Sequence, residues 1–250
     1  SISADKIDSL FESIASSYKL YLPVDNESGK AEFEQWEKGK KLSSALKTVR
    51  SAKDFFFPKV ENLVNYKREG KPITVVDPRK DLGDFVVFGV RGCDAASFAI
   101  IDDVYLKMDP VDSYYKNRRD HGTVVTLACT DPAQTCFCST YNIDATNPKG
   151  DVTSWLADGK YFFQANTDKG NALIEKIKGL LSESDDKAVE AQKKEVSEKI
   201  EKLPFAHLDL SKFQGKDMLK IFNSKIWARV SETCLGCGTC TFVCPTCQCY

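Results

Sequence analysis

The placement of ten cysteines constrains this chain more than any other feature. Six fall between Cys234 and Cys249, four stand at Cys93, Cys129, Cys136 and Cys138, and none occurs between residues 139 and 233. A secreted disulfide scaffold spreads its cysteines along a short chain, whereas dense clusters in a reducing compartment point to metal or redox sites. The rest of the sequence is that of an ordinary globular protein. Its 250 residues suffice for one large domain, or a medium domain with a small module. With 35 basic against 36 acidic side chains, it offers no bulk field to draw nucleic acid or an anionic membrane. No apolar run approaches the roughly 18 residues that span a bilayer. Asp5, Asp8 and Glu12 break up the segment where a signal peptide would be apolar, so a cytoplasmic protein is expected.

Periodicity outlines an α/β domain (or α+β) over residues 1–203, followed by a cysteine module over 204–250. Ile7, Leu10, Phe11 and Ile14 recur at the spacing of an amphipathic helix, and KLYLPV after it suits a strand. Residues 26–53 are polar and lysine-rich with few strand formers. They are expected to form an excursion that ends in a packing anchor at Phe55, Phe56 and Phe57. DFVVFGV (84–90) is a buried strand running into RGCDAASFAIIDDVYL, a helix start; YYKNRRDHG is a helix ended by Gly122, and TVVTLAC a second buried strand. This alternation places Cys93 and Cys129 at the carboxyl ends of strands, where sites on such sheets gather. Two more strands, DVTSWLA and KYFFQAN, precede a helix from about Thr167 to Leu181. The charged segment 183–202, with apolar residues only at Val189, Val196 and Ile200, is expected as a solvated helix bridging two modules.

The module carries Cys234-x-x-Cys237-x-x-Cys240-x-x-x-Cys244-Pro245, the bacterial ferredoxin spacing for [4Fe–4S] clusters. Gaps of two residues let a tight loop point three thiolates into one cubane, and Gly236 and Gly238 permit the positive φ this wrapping needs. Leu235 and Phe242 are expected to keep water from the cubane. Zinc sites use C-x-x-C pairs too, but usually separate them by a longer gap. The fourth cysteine of such a run ligates the other cluster of a pair, so Cys244 implies a second half-motif, and the simplest expectation is a sequence truncated before it. One cluster completed by Cys247, Cys249 or a remote cysteine is the alternative.

Cys93, Cys129, Cys136 and Cys138 match in number the ligands of a further [4Fe–4S] cluster, since a loop can bend Cys136 and Cys138 onto one centre. Burial as small apolar side chains is the competing reading, and a reactive Cys93 thiol activated by Arg91 is a third. His121 and His207 lack companions at ligand spacing and read as satisfied polar residues. Gly89 and Gly92 form neither G-x-G-x-x-G nor a P-loop, so nothing here supports nucleotide binding.

With these residues in place, the chain resembles the iron–sulfur beta subunit of soluble NiFe hydrogenases and sulfur reductases (sulfhydrogenases), and through it a related component of anaerobic sulfite reductase. FFFPKVE (55–61), FGVRGCDAAS (88–97), LACTDPAQTCFCST (127–140) and CLGCGTCTFVCPTCQC (234–249) carry the resemblance. Gly92 stands where the family usually has proline. The resemblance implies two C-terminal ferredoxin-type clusters, one on Cys234, Cys237 and Cys240 and the other served by Cys244. It also implies work within a complex, relaying electrons between a flavin subunit that handles NAD(P)H and a partner that handles hydrogen, sulfur, sulfite or a disulfide. A catalytic role for the Cys93/Cys129/Cys136/Cys138 site, binding a substrate sulfur, is the competing hypothesis.

Overall fold

The computed structural model describes all residues except 214, 216, 217, 249 and 250, so Cys249 lies outside the described residues. A two-residue strand, β1 (Ile2–Ser3), leads to helix α1 (Ile7–Ala15), whose Leu10, Phe11 and Ile14 are buried, as the spacing predicts. Burying three such side chains contributes roughly 1.5–3 kcal/mol each. Strand β2 (Lys19–Asp25) then turns back into β3 (Ala31–Gln35). This second strand corrects the expected excursion. AEFEQ has weak strand propensity, but the turn before it is well specified. The Asn26 side chain accepts from the Ser28 and Lys30 amides, and Gly29 takes φ 68°. Pairing with β2 from Tyr21↔Gln35 to Asp25↔Ala31 then decides the conformation.

After the short helix α2 (Lys53–Phe56) come a separate hairpin, β4 (Asn65–Arg68) with β5 (Ile73–Val76), and the fully buried strand β6 (Phe85–Val90). Helices α3 (Gly92–Tyr105) and α4 (Ser113–His121) cross over to β7 (Gly122–Leu127), which is also fully buried. Asp112 caps α4, accepting from the Tyr114 and Tyr115 amides. Strands β8 (Val152–Ala157) and β9 (Lys160–Ala165) form a hairpin. Helices α5 (Asp168–Ile177), α6 (Lys187–Glu201), α7 (Met218–Phe222), α8 (Ile226–Val230) and α9 (Thr239–Val243) follow.

The large sheet has the order β1-β9-β8-β7-β6-β2-β3. Its centre, β8-β7-β6-β2, is parallel, and the flanking strands are antiparallel. The architecture is therefore α/β with a mixed sheet. Apolar residues pack on both faces. Val86, Phe88, Val125 and Leu127 meet α1 and α5, while Phe85, Val87 and Val124 meet Phe56, Phe98, Ile101 and Tyr115 from α2, α3 and α4. Neither face of the two central strands is wet: β6 is apolar throughout, and β7 adds only the buried Thr123 and Thr126, the latter donating its hydroxyl to Pro148 O.

Gly122 immediately follows α4, but not as a left-handed helix terminator. Its φ is −84°, and a Cβ there would lie 2.2 Å from the Phe56 ring and 2.6 Å from Phe85. The position is glycine because aromatic rings fill the side-chain space. The charged helix α6 also departs from expectation. Val189 packs with Ala128 and Trp155, and Val196 with Cys129 and Ala145, so α6 lies against the sheet beside the cysteines. Two apolar residues seven positions apart form a face too narrow to stand out from the surrounding charge.

Candidate functional site

The parallel strands deliver four cysteines to one end of the sheet. Strand β6 carries a register shift between Phe88 and Val90, at Gly89 with φ 83°. Val90 thereby joins Phe85 and Val87 on the α3 face, when strict alternation would have left it with Val86 and Phe88. The chain then leaves the sheet through Arg91 and enters α3 with Cys93 in its first turn. Cys129 follows β7 by two residues and is tied down by its amide, which donates to Ala145 O at 2.9 Å. Cys136 and Cys138 sit in the connection between β7 and β8. There the Cys136 amide donates to Ala133 O at 2.9 Å, while Cys138 O accepts from the Tyr141 and Ile143 amides at 3.0 Å each.

These four side chains sense one another. The Cys93 thiol is hydrogen-bonded to Cys138, which is the main cause of its raised pKa; desolvation adds to it. The same bond lowers the pKa of Cys138, whose thiolate form it favours. Burial pushes Cys129 up to about 11, with the charges of Cys93 and Cys136 adding to the rise, while Arg91 opposes it. Asp94, also in the first turn of α3, is raised to about 6 by burial. The expected activation of Cys93 by Arg91 is not what the structure shows. The Arg91 guanidinium donates to Ala128 O and Ala45 O, each at 3.2 Å, and its charge falls on Cys129. Cys93 nevertheless keeps an exposed surface, and a cleft of ≈ 340 Å³ opens at its chain neighbour Gly92, lined also by Ala95, Tyr141 and Pro148 but by none of the four cysteines.

The C-terminal cysteines are arranged differently. Gly236 and Gly238 take φ 67° and 71°, as the motif requires, so the chain doubles back twice between Cys234 and Cys240. The Gly236 amide donates to Cys234 Sγ at 3.4 Å. Cys237 lies 3.3 Å from Thr239 Oγ1, and that hydrogen bond lowers its pKa. At Cys244 desolvation acts upward, but hydrogen bonds from Cys247 and Thr246 outweigh it and the net shift is downward. Cys234, Cys237 and Cys240 are exposed, and Cys244 and Cys247 half-buried. Leu235 is 93% exposed and Phe242 46%. Within the described residues, then, Leu235 shields nothing from water, and Phe242 packs against the Lys59 ammonium instead.

Among the described residues, no group of three or more His, Cys, Asp or Glu is close enough to hold a single metal ion. Ligands of one tetrahedral zinc sit about 3.8 Å apart, from a Zn–S bond of about 2.3 Å. The four corners of a cubane ask for wider spacing. The donor sets suit such a group in chemistry. Each is all thiol, the C-terminal loop has the backbone turns to wrap one, and the α/β set converges from two strand ends and one loop. Both histidines are satisfied by carboxylates, His121 by Asp84 at 2.6 Å and His207 by Glu201 at 2.9 Å. No helix among the described residues is long and apolar enough to cross a membrane.

Comparison with curated proteins gives a match to sulfhydrogenase 2 subunit beta of Pyrococcus furiosus, 32% identical over 216 residues and covering 82% of this chain. The chain is a sulfhydrogenase beta-subunit homologue. It spans 58% of the relative's length. No family model matches the sequence. No solved structure matches it either.

One contact that the sequence does not suggest joins the C-terminal cysteines to the α/β domain. Lys53, at the start of α2, donates to Cys244 O at 2.8 Å and to Cys247 O at 2.7 Å. A lysine beside a phenylalanine cluster gives no hint of a partner almost two hundred residues away.

Proposed function

We propose that this chain is the electron-transfer subunit of a cytosolic anaerobic oxidoreductase complex. The observation that carries the reading is the Cys234/Cys237/Cys240/Cys244 spacing together with positive φ at Gly236 and Gly238. In this reading residues 204–250 begin a ferredoxin-type module attached to an α/β domain over 1–203. Cys234, Cys237 and Cys240 hold one [4Fe–4S] cluster and Cys244 serves a second. Cys93, Cys129, Cys136 and Cys138 hold a third. Such clusters supply one-electron storage at a potential set by burial and by hydrogen bonds to sulfur. The protein's own contribution is to fix the thiolates. The Gly236 amide donates to Cys234 Sγ, the Thr239 hydroxyl favours thiolate at Cys237, and the bond between Cys93 and Cys138 leaves Cys138 the readier of that pair to ionise. Homology to a sulfhydrogenase beta subunit supports a hydrogenase-type partner; the reading adds a flavin subunit handling NAD(P)H and allows a catalytic subunit of sulfur/sulfite or disulfide reductase type.

The test is iron and acid-labile sulfide per full-length chain after anaerobic purification, with electron paramagnetic resonance after dithionite reduction. About twelve irons, falling to about eight in Cys136→Ser, is the expected result at four irons per cubane. About eight irons in both would return the α/β cysteines to a thiol or packing role, and zinc in place of iron would refute the reading altogether.

A second reading rests on the exposed surface of Cys93 and the adjoining cleft. Here the α/β site itself binds and reduces a sulfur substrate, which requires an accessible thiol or iron. Alkylation of Cys93, Cys136 and Cys138 that is slow in the intact protein and insensitive to polysulfide would exclude it.

A further inference from the structure

Lys53 is 5% exposed, and lysine is seldom buried so completely without a charged partner. Its neighbour Asp54 pairs with Arg50 at 3.4 Å instead. The Lys53 ammonium is given to the cysteine module, where it closes the turn between Cys244 and Cys247 by donating to both carbonyls. A second contact is made six residues on, where the Lys59 ammonium lies over the Phe242 ring. Lys59 in turn senses the charges of Arg50 and Lys53. Segment 53–59 therefore sets two cations against the part of the module that bears Phe242, Cys244 and Cys247, Lys53 on the carbonyls and Lys59 on the ring.

We propose that Lys53 is a positioning residue that docks the Cys244–Cys247 turn on the α/β domain and, by its fixed positive charge, raises the reduction potential of the cluster bound there. The inference rests on the cluster reading above. A cubane held by four thiolates is anionic and gains a further negative charge on reduction, so a buried cation nearby favours the reduced form. The charge acts from low-dielectric surroundings, where screening by salt is weak. Because the ammonium bonds the carbonyls of the ligand-bearing turn, it also fixes how far that turn stands from the sheet.

The experiment compares wild type, Lys53→Gln and Lys53→Arg as full-length anaerobic protein, reading iron per chain and midpoint potentials from titrations followed by electron paramagnetic resonance. Lys53→Gln is expected to move one potential to more negative values at unchanged iron content, and Lys53→Arg to stay at the wild-type potential. Iron lost in Lys53→Gln but retained in Lys53→Arg would support the proposal too, since only the charge distinguishes them in kind. Identical behaviour of the two variants, whether full with wild-type potentials or equally depleted, would overturn it. Wild-type protein without iron would refute the cluster reading itself, an outcome distinct from either.

Discussion

Cys129 is buried beside Ala145 and Val196 at the end of a fully buried strand, whereas Cys234, Cys237 and Cys240 lie exposed on a loop. The first set is placed by long-range structure. Cys93 depends on β6, the Gly89 bulge and α3; Cys129 depends on β7; and the wall beside Cys129 includes Val196 of α6, sixty-seven positions further on. The second set is placed by local backbone, two glycines and spacings of two residues. One group is organised by the fold, while the other has a shape that its own short segment supplies and little packing to hold it. Exposed Leu219, Phe222, Val230 and Leu235 in the same C-terminal region reinforce the contrast.

If that contrast is right, damage to the core should reach the first set and leave the second. Phe56→Ala removes the ring that fills the space above Gly122 and packs with Phe85 and Phe98. It should cost about 3–5 kcal/mol in urea unfolding. It should also raise alkylation of Cys129 far more than that of Cys234. Val196→Ala opens the wall beside Cys129 and should cost about 2 kcal/mol, the transfer of two methylene equivalents with a small cavity term. Equal acceleration of thiol labelling at Cys129 and Cys237 in that variant would erase the distinction. Leu235→Ala should shift unfolding by no more than about 0.5 kcal/mol, as for an exposed side chain away from special features. A larger loss would mean that the loop contributes to the packed body after all.

The same contrast governs what can be foreseen. The C-terminal set is legible because its information is local, namely residue type, spacing and glycines at turns. Strands β6 and β7 are legible because a strand covered on both faces is written with apolar and β-branched residues and no charge. Strand β3 escapes a reading of the residues because AEFEQ owes its conformation to pairing with β2. Helix α6 reads as a solvated element because its buried contact rests on two valines seven residues apart, and its other contacts come from residues that read as solvated, Gln192 on Leu156 O and Lys193 over Trp155. Gly122 ends α4 where expected, but why it must be glycine is not visible locally, since the Phe56 ring that forbids a side chain there is sixty-six positions away. Lys53 cannot be found from sequence at all, because its partners are main-chain oxygens, which leave no trace in residue identity.

The bulge at Gly89 also makes this protein unusually sensitive to counting. A strand tolerates substitution far better than a change in parity, since removing one paired residue exchanges inside and outside for everything after it. Deleting Gly89, the extra residue, would leave Val90 with Phe85 and Val87 by ordinary alternation. Deleting a paired residue such as Val87 while the bulge remained would instead carry Val90 and the chain after it, Arg91 to Cys93, to the opposite side of the sheet, away from Cys129 and Cys138. Every cysteine would still be present, and a scan for ligand residues would find the chain intact. The site would nonetheless be gone, because its coordinates are held by the number of paired residues rather than by any one of them.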